Sequence, residues 1–250
     1  LTGGATTFER DQSGSIEFGC AAKHTIVKLA GSIFMLAGDS RGKPVAIRMN
    51  GYQPQRVSNN AMEQLFESYL LTDAVAFAYT EGGHQLWVIN FPTNAKTWVY
   101  EVATGAWSEW RTGAARYRGQ HHAYCWTQHF LSDYTNGKIY WSTLAGGDDD
   151  GTSLTTERIA VHTNKALQNL FCSKAIADVR TGAGASLLLS YSDDDGANWA
   201  TDKPYTLGNT NRAIWRQLGR FRDRLWRFRC TSGTLQSWVN VYLDLSQGNS

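Results

Sequence analysis

The chain has few of the residues that mark disulfide-rich or metal-binding proteins. Only four of its 250 residues are cysteine, at Cys20, Cys125, Cys172 and Cys230, and only four are proline. The cysteines form no CxxC pair and no metal-ligand spacing with histidine, which argues against a disulfide framework in a chain this long. We therefore expect buried, reduced thiols and folding in a reducing cytoplasm.

Long apolar runs and a strong net charge are also lacking. No stretch approaches the roughly 18 apolar residues that cross a bilayer, and no signal peptide is visible. The formal net charge is +2, so the whole chain has no strong attraction to nucleic acid or membranes. The chain begins Leu1-Thr2-Gly3 without an initiator methionine. We expect it to be a processed or partial piece of a longer polypeptide.

Aromatic residues and glycine are abundant instead. Aromatics make up 12% of the chain, with ten tryptophans, and there are 24 glycines. Hydrophobic residues reach 42% against 18% charged, which supports a packed core. Many aromatics combined with many glycine turns favour strands over helices. We predict an all-β fold.

The clearest local pattern is a four-stranded meander within residues 74–110. Runs rich in aromatic and β-branched residues alternate with turns that contain glycine or asparagine. The predicted strands are 74–79, 85–91, 97–102 and 107–110. Four antiparallel strands in 37 residues are typical of one β-propeller blade.

Degenerate copies of this pattern lie on either side. Upstream strands are predicted at 32–37, 44–48 and 55–57, and downstream ones at 122–126, 130–133 and 138–141. Asn136-Gly137 predicts a tight turn in the downstream copy. The first strands are 42 to 48 residues apart, in the range of about 40 to 50 for propeller repeats. The alternative is a plain β-meander in a sandwich.

One segment has helical periodicity. Asn59-Asn60 can cap a helix over residues 61–70, and four apolar residues spaced three and four apart give it one apolar face: Met62, Leu65, Phe66 and Tyr69. This face serves either as a docking element between blades or as simple packing against the sheet, and the second is the more common use.

The strand pattern changes character after Asn164. Further strands are predicted at 171–180, 186–191, 213–218, 225–230 and 235–243. We predict two domains: residues 1–165, with propeller-like blades and one inserted helix near 60–70, and residues 166–250, a C-terminal antiparallel β module. Whether the blades form a complete or a partial propeller stays open at this point.

Two aspartate runs are candidate loops. Residues 192–199 fit S-x-D-x-G-x-x-W, which resembles the Asp-box hairpin of sialidases and other propellers. In that hairpin the carboxylate accepts hydrogen bonds from backbone amides of the turn. The motif therefore stabilises a turn and is not catalytic. The runs Asp148–Asp150 and Asp193–Asp195 have oxygen ligands for calcium, but lack the spacing of an EF-hand loop. Solvated turns are the favoured interpretation.

No catalytic constellation is evident. GxSxG, P-loop and HExxH motifs are missing from the sequence. On one continuous strand, His121 and His129 share a face but lie about 26 Å apart at roughly 3.3 Å per residue, too far for a local metal pair. His84 has no evident nucleophile partner. We predict that the chain is not an enzyme and uses no cofactor and no metal.

The most informative segment is rich in arginine. Six arginines fall within the fourteen residues 216–229: Arg216, Arg220, Arg222, Arg224, Arg227 and Arg229. In an extended chain Arg220, Arg222 and Arg224 share one face, and Arg227 and Arg229 face the other way. The first five are our candidate interface residues. A guanidinium row suits a carboxylate-rich partner or a phosphate backbone. Pairing with the aspartate runs within the chain is the third interpretation.

Several short motifs resemble a known family. They are Leu1–Thr7, Gly105-Ala106-Trp107, Tyr117-Arg118-Gly119, Asp194-Asp195-Gly196 and Ile214–Arg222, spread over most of the chain. The chain resembles the packaged-DNA stabilisation proteins of short-tailed bacteriophages, the tail hub or nozzle component. Members of that family are longer, so the chain starts partway into the family pattern. The resemblance implies a virion protein without catalytic residues, assembled in the host cytoplasm.

The resemblance also implies partners. Similar proteins form hexameric rings beneath the portal and its adaptor, carry the tail needle or tailspikes and keep packaged DNA from leaking. We therefore expect a homo-oligomer that contacts these proteins and, in the channel, DNA without sequence specificity. Two rival functions remain open. The Asp-box pattern favours a carbohydrate-binding or sialidase-like propeller, and the arginines favour a DNA-binding module.

Overall fold

The computed structural model of the protein describes residues 16–143, 146–166, 168–180, 184–232 and 237–248. Residues 1–143 and residues 144–250 form two compact units. Both consist almost wholly of antiparallel strands, which confirms the predicted all-β class. The motif at residues 1–7 lies outside the described residues.

Within its described residues, the first unit contains three consecutive sheets and one small two-stranded pair. The first has β1 (Gly19–Cys20), β2 (Val27–Leu29), β3 (Ser32–Gly38), β4 (Pro44–Asn50) and β5 (Gln53–Arg56). The second has β6 (Val75–Glu81), β7 (His84–Phe91), β8 (Lys96–Glu101) and β9 (Ala106–Glu109). A small pair, β10 (Arg111–Thr112) and β11 (Ala115–Arg116), leads to the third sheet: β12 (Gly119–Cys125), β13 (Gln128–Asp133) and β14 (Ile139–Ser142).

The second sheet is the predicted blade. Its strands pair in sequence order, β6-β7-β8-β9, with an uninterrupted antiparallel register. The turn between β6 and β7 requires left-handed backbone at Gly82 and Gly83, with φ of 57° and 87°, which glycine adopts without steric cost. The four strands predicted from the sequence are all present, with ends that differ by one or two residues.

The three sheets pack face to face. Phe34 and Leu36 of β3 bury against Trp87 and Ile89 of β7, so the first and second sheets share one core. The opposite face of the second sheet packs against the third sheet through a separate cluster, Phe77, Tyr79, Val88, Val99 and Leu131. The middle sheet is therefore buried on both faces, as a blade between two neighbours must be.

The helix α1 (Asn60–Glu67) lies on the first core rather than projecting from it. Asn59 caps it as predicted, since its Oδ1 accepts a hydrogen bond from the backbone N–H of Met62 at 2.9 Å. Met62 and Phe66 are buried, and Phe66 stacks on Phe91 of β7. The apolar face thus serves the core.

Within its described residues, the second unit contains two larger sheets and one small pair, β15 (Asp148–Asp149) with β16 (Thr152–Ser153). Its other strands are β17 (Thr156–Ile159), β18 (Thr163–Asn164), β19 (Leu170–Arg180), β20 (Ser186–Ser192), β21 (Lys203–Thr206), β22 (Arg212–Arg216), β23 (Arg220–Phe221), β24 (Asp223–Cys230) and β25 (Ser237–Gln247). One sheet runs β17-β24-β20-β21, with β18 also on β24, and the other joins β25, β19, β22 and β23. They enclose one core that includes Leu187, Trp215 and Trp226.

The division between the units falls earlier than the boundary we predict near residue 165. Strands β17 and β18 precede that residue, yet both pair with β24. These pairings place residues 156–164 with the second unit. The assignment of domains 1–165 and 166–250 itself stays a prediction.

The cysteines are all free, but they are not uniformly buried as predicted. Cys172 and Cys230 lie in the core of the second unit, whereas Cys20 is exposed and Cys125 is half-buried. Burial raises the pKa of the Cys172 thiol.

Candidate partner-binding surface

The arginine segment does not form one strand, because the chain changes sheet within it. Strand β22 ends at Arg216, and a tight return through Gln217 and Gly219, with φ of 56° and 79°, leads to β23. Strand β23 pairs with β19, whereas β24, two residues further on, joins the opposite sheet. The single face predicted for Arg220, Arg222 and Arg224 is therefore wrong: the strand is broken between the first and the last.

Three of the five predicted interface residues lie on the outside. Arg216, Arg220 and Arg222 are exposed, and we call these three the basic patch. Arg216 is paired across the sheet with Lys174 of β19, and Arg220 with Phe171, three residues earlier on the same strand. That places the two arginines on the order of 10 Å apart along β19.

The basic patch is largely uncompensated. Among the described residues, neither Arg216 nor Arg220 has a side-chain hydrogen bond or ion pair, and Arg222 reaches only the Oδ1 of Asn169, at 3.4 Å. Guanidinium groups in this state keep their donors for an external carboxylate or phosphate.

Arg224 is part of the core and not of an external surface. Its side chain is 3% exposed, and two of its nitrogens donate to the two carboxylate oxygens of Asp193 at 2.6 and 2.7 Å. A third donates to the carbonyl of Leu218 at 2.5 Å. The guanidinium also lies within 3.8 to 5.2 Å of the centroids of three rings, those of Tyr191, Phe221 and Trp226. The pairing of arginine with an aspartate run is thus realised here.

Arg227 is half-buried on the other face of β24. Its Nε donates to the Oγ of Ser190 at 2.9 Å, and its guanidinium lies 4.2 Å from the ring centroid of Trp199. Its nitrogens also approach Glu157 and Asp202 at 3.9 Å. These contacts bind Arg227 to its own sheet, so it adds little to an external surface.

The Asp-box segment forms the loop between β20 and β21. Asp194 Oδ1 accepts from the Ser192 hydroxyl at 2.7 Å and from the backbone N–H of Asn198 at 2.9 Å, which lowers the pKa of Asp194 to about 2. Gly196 has φ of +86° and donates its N–H to Ser192 Oγ at 2.9 Å. These bonds are internal to the turn, as predicted for a stabilising loop.

A histidine pair lies where the sequence analysis found none. Strands β12 and β13 form a hairpin whose turn is Trp126 and Thr127, so His122 and His129 become diagonal neighbours, with Nε2 and Nδ1 2.8 Å apart. Burial and the neighbouring His129 lower the pKa of His122. The distance of about 26 Å expected for His121 and His129 assumes one straight strand. The turn, and not the strand spacing, sets the distance between histidines on these two strands.

The third sheet has large exposed apolar residues. Trp126 at the hairpin tip is 85% exposed, and Ile139 and Trp141 of β14 are 71% and 61% exposed. Large exposed apolar side chains on a sheet are typical of surfaces that bind a partner. This group is a second candidate contact region, independent of the basic patch.

Consecutive antiparallel sheets that pack face to face define an all-β protein built from blade-like sheets. Residues 1–143 match the family model described as "Bacteriophage P22 Gp10, beta-propeller", which covers more than half of the chain. The chain belongs to this family of phage DNA-stabilisation proteins, and its role is that of a phage structural protein.

The family model matches a shorter part of the chain than the part over which the family motifs are spread. Those at 105–107 and 117–119 lie within residues 1–143, whereas those at 194–196 and 214–222 lie beyond them. No curated protein matches the chain. Within the described residues, no helix is long and apolar enough to span a membrane.

Solved structures give distant similarities. An exo-β-1,3-galactanase from Phanerochaete chrysosporium with galactose is 14% identical, with a TM-score of 0.19. A single-residue variant of the same enzyme with β-1,3-galactotriose is 13% identical, with a TM-score of 0.20. Each alignment covers 92% of this chain and 55% of the galactanase chain, so the chain spans about half the length of these structures.

Proposed function

We propose that the protein is a tail hub or nozzle component of a phage particle, a ring-forming structural protein below the portal and its adaptor. In this role it helps to retain packaged DNA, supports attachment of the tail needle and tailspikes, and is assembled in the host cytoplasm. Membership of the DNA-stabilisation family is the observation that carries the proposal.

The basic patch supports a role in assembly. A ring with head-to-tail contacts needs two different complementary surfaces on each copy. Arg216, Arg220 and Arg222 supply one surface with strong directional donors for carboxylates. The large exposed apolar residues of the third sheet are our candidate for a further contact surface. Arg224 and Arg227, which the sequence analysis also includes, act within the fold.

The direct test is the mass and symmetry of the purified protein. Size-exclusion chromatography with light scattering and negative-stain imaging should show a six-fold ring, alone or with the adaptor. The double variant Arg220→Glu, Arg222→Glu should fail to form it or to bind the adaptor. The matched control is Arg41→Glu, Arg158→Glu, which makes the same change of charge at two other exposed arginines.

The outcomes separate the rival functions. Normal assembly of the double variant would remove the basic patch from the interface, and a monomer that binds or cleaves glycans would support the carbohydrate alternative. Tight duplex binding that weakens steeply with salt would support the DNA alternative. The control variant must assemble normally for a failure of the double variant to be assigned to the basic patch.

A further inference from the structure

Three potential metal ligands converge in the second unit from distant parts of the sequence. His162 lies immediately before β18, Asp195 lies in the loop between β20 and β21, and Asp223 is the first residue of β24. The Nδ1 of His162 is 3.0 Å from an oxygen of Asp223 and 3.9 Å from an oxygen of Asp195. The three ligand atoms all lie within 4.8 Å of one another.

The neighbouring aspartates do not share this arrangement. Asp193 is held by the buried guanidinium of Arg224, and Asp194 is held by hydrogen bonds within its turn. The side chain of Asp195 is 85% exposed, and among the described residues its ion-pair partner is His162. Asp195 is therefore the member of the run whose carboxylate is not needed to close the loop or to neutralise the core.

The donor set selects the kind of metal. Zn²⁺ binds imidazole nitrogen and carboxylate oxygen at about 2.0–2.2 Å, and tetrahedral geometry then separates neighbouring ligand atoms by roughly 3.3 Å. The observed 3.0 and 3.9 Å lie on either side of this value. Calcium prefers six to eight oxygen ligands, whereas imidazole suits divalent transition metals. We propose that His162, Asp195 and Asp223 form a binding site for a divalent transition-metal ion, with Zn²⁺ as the first probe and water in the fourth position.

A bound ion would cross-link three segments of the second unit. Strand β18 makes a two-residue pairing with β24, and Asp195 of the β20–β21 loop lies 3.9 Å from His162, the residue before β18. One ion bound to all three segments adds a link that backbone hydrogen bonds do not provide. A metal that binds the folded state stabilises it by mass action, so the benefit should grow with free metal concentration.

The test is Zn²⁺ titration of the purified full chain by isothermal calorimetry. We expect one site that Asp195→Asn and His162→Gln each weaken at least about 10-fold, the lower bound seen when even an outer-shell partner of a bound metal is lost. Asp148→Asn, in the other aspartate run, and His129→Gln, in the histidine pair, are the matched controls and should leave the affinity unchanged. Substitution by Co²⁺ should give the visible absorption of a tetrahedral nitrogen–oxygen site.

Three results would overturn the proposal. They are wild-type Zn²⁺ affinity in Asp195→Asn, loss of binding in His129→Gln alone, and tighter binding of Ca²⁺ than of Zn²⁺. Thermal unfolding in the presence of a chelator tests for misfolding. Because Asp195 is exposed, Asp195→Asn should then melt at the same temperature as the wild type. These results do not depend on ring formation, so failure of the metal site can be distinguished from failure of the proposed function.

Discussion

The ion pair between Arg224 and Asp193 allows a prediction in which the two partners are not equivalent. The side chain of Arg224 is 3% exposed, whereas that of Asp193 is 47% exposed. Substituting Asp193 by alanine leaves a buried guanidinium without its counter-charge. Substituting Arg224 by methionine leaves a carboxylate that water can reach. Asp193→Ala should therefore destabilise the second unit more than Arg224→Met does.

The magnitudes follow from what each variant leaves behind. Asp193→Ala should cost about 3–5 kcal/mol, since breaking a buried pair leaves an uncompensated charge. Arg224→Met should cost about 1–3 kcal/mol, because the buried carbonyl of Leu218 loses its donor. Methionine still fills much of the space among the three aromatic rings. Once Arg224 is gone, removing Asp193 should change the free energy of unfolding by less than about 0.5 kcal/mol.

Native-state hydrogen exchange of the β20 and β24 amides measures these free energies in the second unit alone. Asp193→Ala, Arg224→Met and the double variant are compared with the wild type in one buffer. The reasoning would be refuted if Arg224→Met cost as much as Asp193→Ala, or if the double variant were clearly less stable than Arg224→Met. The first result would mean that Arg224 stabilises the fold chiefly through contacts other than its pair with Asp193, and the second that Asp193 stabilises the fold through contacts that do not involve Arg224.

Two further predictions concern the first unit. The pKa of His122 in the folded protein lies below its ordinary 6.5. As the pH falls, the unfolded chain therefore binds a proton at this residue before the folded chain does, and the free energy of unfolding should decrease from about pH 6.5 downward. His122→Phe keeps a ring against Tyr79 and should flatten that pH profile in urea unfolding; an unchanged profile would place the titration elsewhere. Trp87→Ala should cost about 3–5 kcal/mol in the same assay, because Trp87 is fully buried between sheets. Trp87→Phe should cost much less, since among the described residues the Trp87 indole nitrogen has no hydrogen-bond partner; equal costs would contradict this.

Local features of the fold were predictable from the sequence. The four strands of the second sheet, the Asn59 cap and the Asp-box turn each depend on residues a few positions apart, and the structure contains all of them. Side-chain alternation and turn chemistry act over such short distances. The family resemblance rests on short motifs of the same kind, and a family match over residues 1–143 bears it out.

The positions of functional side chains were decided by tertiary structure. Arg224 turns inward because the chain changes sheet after Phe221, and His122 meets His129 because a hairpin turns between them. His162, Asp195 and Asp223 converge only when β18, β20 and β24 share one sheet. Strand alternation defines two faces, but which face is buried depends on pairing with strands far away in the sequence. Local residue patterns therefore predict the strands, the turns and the family, whereas long-range strand pairing sets which charged groups meet, because the partner of a strand is not encoded in its own residues.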